Sequence, residues 1–83
     1  MYYYLKLDGP EERWVSWGRW YTDDPEDEGF YVVSTKYRAC LISEEYLLDE
    51  LVQRQIGRFG SYKKIPADEK AVRKYRCRIF TRL

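Results

Sequence analysis

Apolar and polar positions alternate with a period of two at the start of the chain, where Tyr3, Leu5 and Leu7 fall on one side of an extended backbone. This predicts a strand over Met1–Leu7. Lys6 is its only charge against pairing, so it is expected to be capable of serving as a sheet edge, and the chain to be a monomer or a weak homodimer through such an edge or through its tryptophans. Asp8, Gly9 and Pro10 supply turn chemistry. The aromatic and β-branched residues from Arg13 to Thr22 predict a second strand, and the acidic stretch DDPEDEG a loop closed by Gly29. Phe30 to Thr35 reads as a third strand, which Lys36 to Ile42 continues or follows with a fourth after a bulge.

The period then changes. Ser43 is suited to cap a helix, and Glu44 and Glu45 stand in the first turn, where the helix dipole favours negative charge. Leu48, Leu51, Val52 and Ile56 recur at helical spacing with Leu47 beside them, which predicts one amphipathic helix with those four residues against the sheet. Gly57 or Gly60 ends it. Pro66 is placed to open a short second helix, roughly Ala67 to Lys74. In the close, KYRCRIFTRL, Tyr75, Cys77 and Ile79 alternate with Arg76 and Arg78, which favours a final strand over a helix running on through Ile79. The fold class is α+β: a small three- to four-stranded, mainly antiparallel sheet with one amphipathic helix packed on it and a short second helix, in one domain of residues 1–83.

Composition adds a globular balance, 45% hydrophobic and 35% charged, and an aromatic excess of 18% carried mostly by nine Tyr and three Trp. The net charge of +1 hides a division along the chain. From Met1 to Glu50 there are five cations against twelve anions, and from Leu51 to Leu83 ten cations against two anions. Charge clustered in this way steers association and selects partners by sign.

Ordinary catalytic chemistry lacks its residues. Histidine is absent, no Ser or Cys sits in a nucleophile-elbow pattern, and there is no glycine-lysine phosphate loop. DDPEDE lacks the alternating oxygen ligands and distant Glu of a calcium loop, and Cys40 and Cys77 have no neighbouring ligands to form a zinc pattern. The expectation is a protein that is not an enzyme and needs no metal or cofactor. MYYYLKLDG has no basic leader region, and no run reaches the ~20 apolar residues of a membrane span. A cytoplasmic location is therefore expected, with both cysteines reduced and buried as small hydrophobes.

Three segments remain as candidate surfaces. Trp14 and Trp20 fall on one side of the predicted strand with Ser16 and Gly18 between them, a shallow apolar trough. With the acidic Asp23, Asp24, Glu26, Asp27 and Glu28, they form a candidate contact for a protein with a basic surface. Gly57-Arg58-Phe59-Gly60 resembles the GxxG loop of KH domains, which would imply a clamp on single-stranded nucleic acid. Lys63 and Pro66 depart from that pattern, and a glycine turn after a helix accounts for the same residues. Arg58, Lys63, Lys64, Arg76 and Arg78 compose a candidate nucleic-acid surface, though the pI near 7.7 is low for a dedicated binder. The reading favoured by the sequence is a small binding protein acting on another protein, as an inhibitor or adaptor of the size and composition common in phages and mobile elements. The alternative is a small RNA- or DNA-binding domain using the basic half.

Overall fold

Strand β1, Tyr2–Leu7, lies in the middle of the sheet. The structure, a computed structural model, describes residues 1–19, 28–74, 79 and 80. On one side β1 pairs antiparallel with β5, Tyr62–Pro66, in a register that runs from Tyr3↔Pro66 to Leu7↔Tyr62. Its other side is shared. β2, Trp14–Arg19, meets it at Lys6↔Trp14, and β4, Ile42–Ser43, meets it at Tyr2↔Ser43 and Tyr3↔Ile42. β3, Glu28–Val33, pairs with β2 from Trp14↔Val33 to Arg19↔Glu28. The edge role expected of the first strand is thus corrected: both its sides are hydrogen-bonded, because the YKKIP segment, to which the sequence assigns no element, forms a fifth strand beside it.

The alternation of β1 feeds two cores, one on each face of the sheet. Leu5 and Leu7 point into the larger, with Val15, Phe30, Cys40, Ile42, Leu47, Val52, Ile56 and Phe80. Tyr4 points into the smaller, with Trp14, Val33, Ala39 and Leu41. The larger core holds an aromatic cluster in which Trp17, Phe30 and Tyr46 surround Phe80 at centroid distances of 4.7–4.9 Å. Such tilted and edge-on ring pairs gain on top of the area they bury.

Ser43 caps α1, Glu44–Leu47, as its chemistry predicts, its Oγ accepting from the Tyr46 N–H at 3.4 Å. The single long helix is corrected. Asp49 takes an extended conformation and its Oδ1 accepts from the N–H groups of Leu51 (2.9 Å) and Val52 (3.2 Å), which starts a second helix, α2, Glu50–Gly57. The carbonyl of Leu47 accepts from Gln53 Nε2 at 2.8 Å. This elbow resets the phase of the apolar stripe, so Leu47, Val52 and Ile56 are buried while Leu48 and Leu51 face outward. Gly60, at φ +107°, turns the chain from α2 into β5, a conformation that side-chain-bearing residues rarely adopt.

The Lys36–Arg38 segment is a 3₁₀ turn between β3 and β4, where a continuous strand or bulge was expected. Helix α3, Glu69–Lys74, lies within the span predicted for the second helix, and Asp68 rather than Pro66 opens it, accepting from the Ala71 N–H at 2.6 Å. α3 sits over the smaller core through Val72, so it occupies the sheet face opposite α1 and α2. Of the expected final strand, Ile79 forms a parallel bridge with Leu41, and the Phe80 N–H donates to the Leu41 carbonyl at 2.7 Å. The rest of that segment lies outside the described residues.

Candidate functional site

The α1–α2 elbow is built by two caps in quick succession, Ser43 and Asp49. Because each cap fixes where its helix begins, the residues just before Asp49 and just after it are turned away from the core together. Leu48 is 74% exposed and Leu51 51%. Glu44, Glu45, Asp49 and Glu50 stand exposed around them. Large exposed apolar side chains within a charged surround make this region a candidate contact surface. The chain start joins this region, since the Glu44 N–H donates to the Met1 carbonyl at 3.1 Å and the Met1 side chain is exposed. Between them lies an open hollow of 530 Å³ lined by Met1, Tyr2, Glu44, Tyr46, Leu48 and Phe80.

The residues singled out from sequence take different places. Trp14 is 6% exposed, in edge-to-face contact with Tyr4 at 6.2 Å, and its Nε1–H donates to Glu12 Oε1 at 3.0 Å. It is a core residue, and the polar tip of its indole is satisfied within the chain. Tyr31, from β3, lies across the trough expected beside it. A side chain at Gly18 would meet the Tyr31 ring at 3.4 Å, and Ser16 is buried with its Oγ donating to the Arg38 carbonyl at 2.8 Å. Trp20, Asp23, Asp24, Glu26 and Asp27 lie outside the described residues. Glu28 opens β3 opposite Arg19, and its side chain lies outside them as well.

Of the basic set, Arg58, Lys63 and Lys64 are exposed, and Arg76 and Arg78 lie outside the described residues. Arg58 Nε–H donates to the Gln55 carbonyl at 3.2 Å, and its guanidinium stands 5.7 Å from the Phe59 centroid. Lys63 is registered opposite Lys6, while the Lys64 ammonium lies 5.2 Å from the centroid of Tyr3. Successive residues of a strand point to opposite faces, so Lys63 and Lys64 do not combine into one track. Gly57-Arg58-Phe59-Gly60 leads from α2 into strand β5, where a KH loop would lead into a second helix.

Cys40 is buried, and desolvation pushes its thiol up to about 12, against a smaller opposing effect of the backbone N–H groups of Cys40 and Trp17. A thiol held protonated in this way packs as a small hydrophobe. Cys77 lies outside the described residues. Among the described residues, no group of three or more His, Cys, Asp or Glu is placed to hold a metal ion, and no helix is long and apolar enough to cross a membrane.

The elbow surface is hidden in the sequence because Leu48 and Leu51 fit a continuous helical stripe. The signal that separates them was the Asp49-Glu50 pair, a capping residue followed by a first-turn acid in the middle of the predicted helix. In comparison with known proteins, no family model matches this chain, and no match is found among curated proteins or solved structures.

Proposed function

We propose that this chain is a non-catalytic binding protein, an inhibitor or adaptor that attaches to another protein through the α1–α2 elbow. The observation that carries this reading is the outward pair Leu48 and Leu51 set among Glu44, Glu45, Asp49 and Glu50. Two leucines give an apolar anchor, and four carboxylates around them favour a partner whose apolar socket is rimmed by Lys and Arg. The acidic run Asp23, Asp24, Glu26, Asp27 and Glu28, with Trp20, has the same sign and adds to the attraction on charge alone. Exchanging Glu44, Glu45 and Glu50 for Gln tests the electrostatic half of the reading. Association with a captured partner is expected to slow and to lose its salt dependence, with dissociation little changed. An unchanged association rate would reject it.

The second reading, a small RNA- or DNA-binding domain, draws on the exposed Arg58, Lys63 and Lys64 together with Arg76 and Arg78. It is disfavoured by the alternation of Lys63 and Lys64 across the sheet, since a phosphate backbone is followed by cations on one continuous surface.

A further inference from the structure

The smaller core opens at the surface as a hollow of 310 Å³ lined by Tyr4, Glu12, Trp14, Lys36, Tyr37 and Ala71. Three of its walls are aromatic and one residue is a carboxylate. Tyr4 and Trp14 stand nearly perpendicular, at 81°, and are almost wholly buried, so their orientation is fixed by packing. Tyr37, 70% exposed, forms the outer wall. Aromatic ring faces carry negative quadrupole density, and the Glu12 carboxylate adds a full negative charge, so the hollow is built to attract a cation.

The chain's own lysines report that attraction. Lys36 Nζ lies 5.0 Å from the Tyr4 centroid, and Lys6 Nζ lies 5.7 Å from that of Trp14. Each ring of the pair thus carries one lysine, from β1 and from the 3₁₀ turn, and Lys36 is the one that lines the hollow. Lys36 itself lines the hollow and is exposed, so its side chain can leave for solvent without disturbing the core.

We propose that this hollow is a recognition pocket for an alkylammonium group, which enters by displacing the Lys36 side chain. The pocket lies on the sheet face opposite the elbow and does not depend on the elbow's role. Lys36 acts as an internal competitor, so a ligand binds the native chain more weakly than a chain in which that ammonium is missing. Bulky methylated ammonium groups suit the site best, because they are weakly hydrated and present more surface to the rings.

The test is titration of the full chain with tetramethylammonium, with N-acetyl-trimethyllysine amide, and with 3,3-dimethylbutanol, the last having a similar shape to choline without the charge. Binding is read by NMR at the Trp14 indole N–H and the Tyr37 ring. Both cations are expected to shift these signals. The alcohol is expected to bind about tenfold more weakly, the size of effect a cation–π contact supplies. Lys36→Ala is expected to tighten cation binding severalfold, and Tyr37→Ala and Glu12→Gln to weaken it. Tighter binding of the lysine derivative than of tetramethylammonium assigns the ligand to a peptide side chain, and equal binding assigns it to a free ammonium compound. Equal affinity for the alcohol and the cations, or no shift in Lys36→Ala at tens of millimolar cation, would overturn the proposal. Because Tyr37 and Lys36 are both exposed, their variants keep the core, and an unchanged amide spectrum elsewhere verifies it.

Discussion

Leu47 and Leu48 are neighbours in the chain and opposites in the fold, 5% and 74% exposed respectively. Leu47 ends α1 within the larger core, and Leu48 stands on the outer side of the elbow. Leu47→Ala is expected to destabilise the protein by about 2–5 kcal/mol, the range for a buried leucine that leaves a cavity. Leu48→Ser and Leu51→Ser are expected to stay within about 0.5 kcal/mol of the parent chain. Urea denaturation measures both, and a large loss for either outward leucine would mean that the elbow is wrongly phased.

Asp49 is the residue that sets this phase. Asp49→Ala strips the partner from two backbone N–H groups at the start of α2 and is expected to cost about 0.5–2 kcal/mol. Asp49→Asn, which keeps an accepting oxygen, is expected to recover most of that loss. Equal stability for the alanine variant and the parent in thermal melts would show that the helix runs through.

Much of this fold is legible in the residues themselves. Period-two alternation marks Tyr3, Leu5 and Leu7, and they lie on the larger core's side of the sheet. Ser43 with Glu44 and Glu45 locates the start of α1. What the sequence concealed has a physical cause in each case. β5 carries Lys63 and Lys64 at its centre, and its apolar residues Tyr62 and Ile65 are three apart, so they serve opposite cores and show no alternation. Pro66 is equally suited to ending a strand at its edge or opening a helix, and only the pairing Tyr3↔Pro66 decides between them. The outward leucines fit a helical stripe because periodicity reports a repeat and not which side is buried. Trp14 reads as a surface anchor in the sequence because a strand with small residues beside it looks open until Tyr31, from β3, is placed across it.

Cys40 supplies a pH dependence whose sign follows from burial. Its thiol is pushed from 9.0 up to about 12, so the folded chain holds the proton more tightly than the unfolded chain does. The stability that this group contributes is complete below the unfolded value and is lost as pH rises toward the folded one. The stability difference between the parent and Cys40→Ala is therefore expected to shrink between roughly pH 9 and 12, by up to about 1.4 kcal/mol per pH unit. Native Cys40 is also expected to resist alkylation at pH 8 until denaturant is added, with peptide mapping used to separate it from Cys77. Labelling as fast in the native state as in the denatured one would contradict its burial.

Attachment to another protein through Leu48 and Leu51 is tested most directly by comparing baits. Affinity capture from a lysate of the native cell, with and without nuclease and at physiological salt, uses three immobilised chains. These are the parent, Leu48→Ser/Leu51→Ser, and a reversal of the basic set, Arg58→Glu/Lys63→Glu/Lys64→Glu. One protein partner is expected to be retained by the parent and by the basic reversal and to be lost from the leucine variant. Retention that survives in the leucine variant, or that disappears with nuclease or with the basic reversal, would contradict it and favour the nucleic-acid reading.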